Sequence, residues 1–312
     1  MKNAIKRWGG ILVGLATCSV LSVTLSACTT AESYEINTHE ITDAFSDISI
    51  KTDTADITFV PSLDGQCKVV CYEQQNLKHS VSVLDETLIV EVVDEQAWYE
   101  YIGIFTETPK ITVHLPETEY AALHIEESTG DIELYNFTFE SIDIAVSTGD
   151  VKCNASATQG INIVTSTGDI FVEDSSADSL SVCVSTGMIT VENVACEGDV
   201  TVGVSTGKTY LTNLMCKNVK SSGSTGDISL HNVVAVEKFS IERSTGDVAF
   251  DKCDAAEIIV DTDTGDVTGT LLSEKVFTVQ TDTGSCSVPS SNAGGRCAIT
   301  TDTGDIAISI VK

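Results

Sequence analysis

Apolar and polar residues alternate along most of this chain, and the alternation restarts every 19 or 20 residues. Counted from a recurring glycine, apolar residues fall at offsets −7, −5, −3, +2 and +4. This is period two on both sides of a turn, which predicts two short strands per unit, each buried on one side. One unit supplies Ile161, Ile163 and Thr165, then Ile170 and Val172; the next supplies Leu180, Val182 and Val184, then Ile189 and Val191. Offsets +7 and +9 are often apolar too, as at Phe137 and Phe139, Val194 and Cys196, Leu214 and Cys216, and Val233 and Ala235. A third short inward-facing segment is expected there.

The turn itself is S/D-T-G-x, with glycines at Gly130, Gly149, Gly168, Gly187, Gly207, Gly226, Gly246, Gly265, Gly284 and Gly304. A unit this short has no room for a helix and two strands, but it suits one rung of an all-β parallel solenoid with two or three sides. At about 4.8 Å per rung, ten rungs make a rod of roughly 50 Å. Glycine supplies a positive φ at each corner, and the neighbouring Ser, Thr and Asp side chains can satisfy backbone groups left by the bend. The sixth rung places Ser221 and Gly223 at buried offsets, and the ninth has Pro289 just after its second strand, so these rungs are expected to be the weakest. The chain stops at Lys312 with no amphipathic helix over the last rung. An open C-terminal parallel edge invites self-association or another interaction there.

Two regions precede the repeats. Residues 1–27 carry Lys2, Lys6 and Arg7, an apolar stretch from Ile11 to Leu25, and then Leu25-Ser26-Ala27 before Cys28. This pattern reads as an export signal. Leu25-Ser26-Ala27-Cys28 is similar to the bacterial lipobox, which implies a diacylglycerol-modified Cys28, a lipid anchor in the cell membrane and an extracytoplasmic location. The alternative is an uncleaved membrane anchor, for which the apolar stretch is short. Residues 28–33 read as a tether, 34–120 as a β-rich cap over the first rung, and 121–312 as the solenoid repeats. Asp53-Thr54-Ala55-Asp56 looks like a degenerate corner. Trp98, Tyr99, Tyr101 and Phe105 break strand alternation, and form either a ligand platform for sugar or peptide or, as the plainer reading, a hairpin loop folded over the cap.

Charge narrows the partners. The full sequence has a formal net charge of −29; without residues 1–27, 14 basic residues face 46 acidic ones, a net charge of −32. Nucleic acid and direct binding to anionic lipid head groups are disfavoured, whereas cations and basic partners are favoured. Offset +1 stacks Asp131, Asp150, Asp169, Asp227, Asp247, Asp266 and Asp305 on one edge. Weak calcium binding is one reading of that ridge. Its spacing matches neither the EF-hand loop nor the nine-residue calcium repeat, so a solvated acidic ridge is preferred, with no cofactor expected.

Ile48-Ser49-Ile50 with the T-D-T-A-D stretch, the strand block Leu88–Val93, Ile111-Thr112-Val113-His114-Leu115-Pro116, and S-T-G-D rungs from Ser128 follow one another in order. That order resembles the DUF4097 family of β-strand-repeat proteins, whose members are often labelled adhesins. The resemblance covers residues 34–312. It implies a bacterial envelope-associated solenoid with no catalytic residues to carry over, and some relatives are linked to envelope-stress signalling.

Eleven cysteines depart from simpler members; Cys18 lies in the signal and nine remain after Cys28. An exported location permits disulfides. Cys196 and Cys216 share an offset on neighbouring rungs and could be bridged, although in-register stacking need not supply the torsion. Cys153, Cys286 and Cys297 sit at inward offsets as small core residues. Cys67 and Cys71 share one strand face too far apart to bond directly, and C-x₃-C without a nearby histidine is poor evidence for zinc.

Two enzyme-like motifs dissolve into the repeat. Asp263, Asp282 and Asp302 each begin D-T-G, as in aspartic proteases, but as consecutive corners they would not face one another across a cleft. Gly203-Val204-Ser205-Thr206-Gly207 matches a nucleophile elbow, yet a strand is expected to follow rather than a helix. The favoured function is therefore a non-catalytic binding, adhesion-like or structural module meeting an envelope protein or glycan. An envelope-stress sensor or regulator of a membrane signalling partner is the alternative. A calcium-dependent polysaccharide lyase comes third, because the rungs lack long cleft-forming loops and basic residues are few.

Overall fold

The computed structural model describes residues 34–74, 77–94 and 108–311, which belong to one compact unit. They are all-β, and among them no helix is long and apolar enough to cross a membrane. The expected coil is present. The strand Ile132–Thr148 pairs in parallel with Val151–Thr167, placing Ile144 beside Ile163 and Ile132 beside Val151. Below these, Ile163 meets Val182, Val182 meets Val202, and the same register continues through Ile241 and Val260. A third, shorter side stacks Phe139, Ala157 and Ala177, which are all buried. Like residues thus form columns, and the interior is a continuous run of Ile, Val, Leu and Phe.

Both corners are stabilised between rungs. At the first, Gly130 N–H donates to Thr148 O at 3.0 Å, Gly149 to Thr167 at 2.9 Å, and so on down the column. Gly187 has φ 151°, and a Cβ there would lie 1.9 Å from the carbonyl oxygen of Gly168. Stacked corners approach so closely that no side chain fits, which is a stronger demand than the torsion alone. The second corner, at offset +6, escaped the sequence reading. Asn136, Asp174, Asn193, Asn213 and Asn232 all have φ between 46° and 59°. Asn193, Asn213 and Asn232 each donate a side-chain N–H to the preceding residue of this column, at 2.8–3.0 Å. Asn and Asp tolerate this left-handed conformation best among residues with a Cβ, and the ladder satisfies their amides.

At both ends, spatial order departs from chain order. At the N-terminal end we number β1 (Tyr34–Ile41), β2 (Asp47–Thr54), β3 (Asp56–Pro61), β4 (Cys67–Gln74), β5 (Leu77–Leu84), β6 (Thr87–Asp94), β7 (Lys110–Leu115), β8 (Glu119–Thr129) and β9 (Ile132–Thr148). The β2–β3 rung lies directly against β8 and β9, with Ile48 beside Leu123 and Ile57 beside Ile132. Ala55 occupies the glycine position, donating to Thr129 O at 3.1 Å. The later β6 and β7 lie outside that rung, pairing Leu88 with Ile48 and Ile111 with Ile57. Antiparallel strands close the end: β1 on β4, β4 on β7, and β5 on β6. The region expected as a cap therefore already contains two turns of the coil.

The opposite end is interleaved as well. Val260 meets Ile299, and Ile299 meets Val279; Val267 meets Ile306, and Ile306 meets Cys286. The tenth rung is thus inserted between the eighth and ninth, and the exposed terminal layer is the ninth rung rather than the last residues of the chain. Ile299, Ile306 and Ile308 are buried in the inserted rung, whereas Phe277 and Val279 of the ninth are only partly covered. The more apolar rung takes the position with neighbours on both sides. Cys286, expected inside, is exposed because no further layer covers it.

Candidate functional site

The acidic ridge is built into the corners. The Oδ1 atom of Asp131 accepts the Asp150 N–H at 2.9 Å, Asp150 accepts from Asp169 at 2.8 Å, and Asp169 accepts from Met188 at 2.7 Å. Asp227 accepts from Asp247 at 3.2 Å, Asp247 from Asp266 at 2.8 Å, Asp266 from Asp305 at 2.8 Å, and Asp305 from Ser285 at 2.7 Å. These bonds favour the ionised form, and they hold Asp227 and Asp305 below the usual carboxylate range. The stacked charges therefore serve as backbone acceptors. Among the described residues no three of them converge as a metal-binding group.

Other residues singled out from the sequence fall variously. Cys28 and the aromatic run Trp98, Tyr99, Tyr101 and Phe105 lie outside the described residues. All nine cysteines among the described residues are free thiols. Cys196 donates its S–H to Asp178 O at 3.2 Å, and burial raises the Cys216 thiol to about 12. The stretch Gly203 to Gly207 leads into the strand Thr209–Thr225, which lacks the helix that a nucleophile elbow needs. Asp263, Asp282 and Asp302 belong to stacked corners, since Thr264 pairs with Thr303 and Thr303 with Thr283.

Ser221 and Gly223 of the sixth rung complete a niche. Arg243, on the next rung, points inward at the same offset as Gly223 and is only 5% exposed. Its Nη2 donates to Ser221 Oγ at 2.8 Å and its Nη1 to Glu242 O at 2.9 Å. A Cβ on Gly223 would lie 3.0 Å from Nη1, so the missing side chain makes the room. Burial lowers the guanidinium to about 10, which leaves it charged at neutral pH. No carboxylate pairs with it among the described residues. Such a cation is costly to bury without further partners.

Arg243 is among the residues lining an open trough of about 570 Å³ on the outer side of this sheet, with its guanidinium buried beneath. Its outward column reads Val164, Cys183, Gly203, Ser222, Glu242 and Asp261, one residue per rung. Small residues in the middle make the depression, Ser205, Ser224 and Ser244 border it, and carboxylates stand at one end. Hydroxyl donors and acceptors and one buried cation, with no aromatic plate among the described residues, suit a polar, hydroxyl-rich or anionic ligand. The clue in the sequence was Arg243 at an offset that apolar or small residues hold in every other rung but the first, where Glu127 stands.

A second buried polar feature lies toward the N-terminal end. Glu127 is 5% exposed; its Oε1 accepts N–H groups from Ala55 at 3.1 Å and Thr129 at 3.3 Å. Its Oε2 is buried without a partner among the described residues. Burial raises this carboxyl to about 8.

No curated protein matches the chain. Among solved structures, a candidate lipid-binding protein from Parabacteroides distasonis aligns with a TM-score of 0.50 at 17% identity, covering 75% of this chain and 96% of that one. A candidate adhesin from Bacteroides fragilis aligns at 0.41 and 16% identity, covering 89% of this chain and 99% of its own. At 17% identity the first likeness concerns the fold alone, which is the stacked β architecture described above. The profile of the Toastrack DUF4097 family matches residues 45–205 and 195–312. With nearly all of the described coil inside those matches, the chain belongs to the DUF4097 (Toastrack) family.

Proposed function

We propose that this protein is a lipid-anchored extracytoplasmic solenoid that binds an envelope glycan or protein through the outer trough and performs no chemistry of its own. The carrying observation is the buried Arg243 guanidinium, without an ion-pair partner among the described residues, beneath an open trough bordered by serine hydroxyls. An anionic or hydroxyl-rich ligand would supply the acceptors that this cation lacks. Regular rungs of nearly constant length support a presenting surface, because they build no deep cleft that could exclude water from a reaction. The lipobox-like Leu25-Ser26-Ala27-Cys28 supports the anchor. Self-association through the uncovered ninth rung belongs to the same proposal.

Two measurements test it. Purified protein is screened against isolated envelope glycans and envelope protein extracts, alongside the Arg243→Gln variant. Loss of retention of about tenfold or more in the variant, with an unchanged circular dichroism spectrum, is expected. Equal retention of both proteins would remove the trough from the reading. In cells, Cys28→Ala is expected to abolish labelling by a lipid precursor and release the protein from the membrane fraction.

A further inference from the structure

At the N-terminal end, β4 pairs with β1 and β7, β5 pairs with β6, and β4 and β5 meet at Gln74 and Leu77. Cys71 and Glu73 are two positions apart on β4, so both side chains point inward. His79 enters the same interior from β5. The three are 0%, 1% and 6% exposed, and one donor atom from each lies within 4.8 Å of the others. His79 Nδ1 is 2.8 Å from Glu73 Oε2, and His79 Nε2 is 3.1 Å from Thr52 Oγ1. Asn37 Nδ2 donates to Glu73 Oε1 at 2.7 Å, and the His79 backbone N–H donates to Glu73 Oε2 at 2.7 Å. The Cys71 thiol makes no hydrogen bond among the described residues.

We propose that Cys71, Glu73 and His79 form a binding site for a zinc-class divalent cation. Sulfur, imidazole nitrogen and carboxylate oxygen are the three donor types zinc takes, whereas calcium and magnesium call for oxygen alone. Zinc bonds of about 2.0–2.3 Å place tetrahedral donors roughly 3.3–3.8 Å apart, so the 2.8 Å pair of His79 Nδ1 and Glu73 Oε2 opens by about half an ångström while the donors that stand up to 4.8 Å apart draw in. The charges also suit a dry site. A thiolate, a carboxylate and a neutral imidazole cancel the cation, where two buried anions alone would be costly.

In the loaded site the Cys71 thiol proton leaves to solvent and the imidazole proton rests on Nε2, where it donates to Thr52. Asn37 holds the carboxylate. These outer contacts are of the kind that orient ligands in zinc sites. Three protein donors leave a fourth position for water. Cys67 is excluded, being four residues up the same strand and about 13 Å away. The cation would tie β4 to β5 where the coil ends. The sequence concealed this because His79 lies on the next strand, beyond the reach of a local spacing rule.

The full chain, stripped with a chelator, is titrated with Co²⁺ as the optical substitute for zinc. One equivalent is expected to give a thiolate-to-cobalt charge-transfer band that disappears in Cys71→Ala and His79→Gln and persists in Cys183→Ala. A missing band, or one that survives Cys71→Ala, overturns the proposal. Should either variant fail to fold, hydrogen exchange of the unsubstituted chain decides. Added Zn²⁺ is expected to slow the amides of β4 and β5 by roughly tenfold or more, and unchanged rates there overturn the site.

Discussion

At the scale of single residues, this fold places polar groups inside where the column can satisfy them. Arg243 survives burial because Ser221 accepts its N–H and Gly223 vacates the space it needs. Glu127 is less well served, with one oxygen accepting two N–H groups and the other unpartnered among the described residues. Its raised pKa of about 8 gives a signed prediction. Between the usual carboxylate value and pH 8 the unfolded chain loses this proton while the folded chain keeps it, so stability falls as pH rises through that window. Below the window both states are protonated and the penalty vanishes. Glu127→Gln should therefore stabilise the protein at pH 8 by up to roughly 4 kcal/mol and far less at pH 4, read from urea unfolding at both values. Equal effects at the two pH values would show that Glu127 is ionised in the folded state.

At the scale of elements, the ends of the coil carry the lesson. Repeats predict stacking but are silent on the order of layers, because every rung offers nearly the same hydrogen-bonding edge. At the C-terminal end the choice goes to burial. The tenth rung brings Ile299, Ile306 and Ile308 into the column, while the ninth ends at Pro289 and leaves Cys286 in solvent. The ninth therefore depends on the tenth. Ile299→Asp should free the amides of both 275–287 and 295–310 to exchange, while rungs up to residue 271 stay protected. Val279→Asp should free only 275–287. A sequential stack predicts the reverse dependence, so hydrogen exchange mapped by mass spectrometry separates the two orders.

At the scale of the whole molecule, the full sequence carries a net charge of −29, and the corners of its coil stack carboxylates one rung apart. Backbone N–H groups offset part of that repulsion, and ion pairs between rungs such as Lys152–Glu133 and Lys51–Glu126 offset a little more. Raising NaCl from about 10 mM to about 1 M shortens the screening length from roughly 30 Å to 3 Å, and should raise Tm by several degrees. Calcium chloride at the same ionic strength is expected to add nothing further if the ridge is a row of backbone acceptors. A calcium-specific rise at millimolar concentration would instead identify the ridge as a cation site.

Most of the architecture could be read before any coordinates. Period-two burial, glycine spaced by 19 or 20 residues and the third apolar segment are local facts, and local facts suffice because each rung repeats the same steric and hydrophobic solution. Even Ala55 was recognisable as a worn corner. The asparagine column at the second corner was equally visible in principle, since Asn193, Asn213 and Asn232 recur at one offset, but its meaning depends on φ values that a list of residues does not display. Other features required the folded chain: the interleaved ends, the fit of Arg243 against Ser221 and Gly223, and the meeting of Cys71, Glu73 and His79. Each joins residues from different rungs or strands, and the outcome turns on which competing layer or partner buries more apolar surface or satisfies more polar atoms. No periodicity within one rung encodes that comparison, so it emerges only when the layers are stacked.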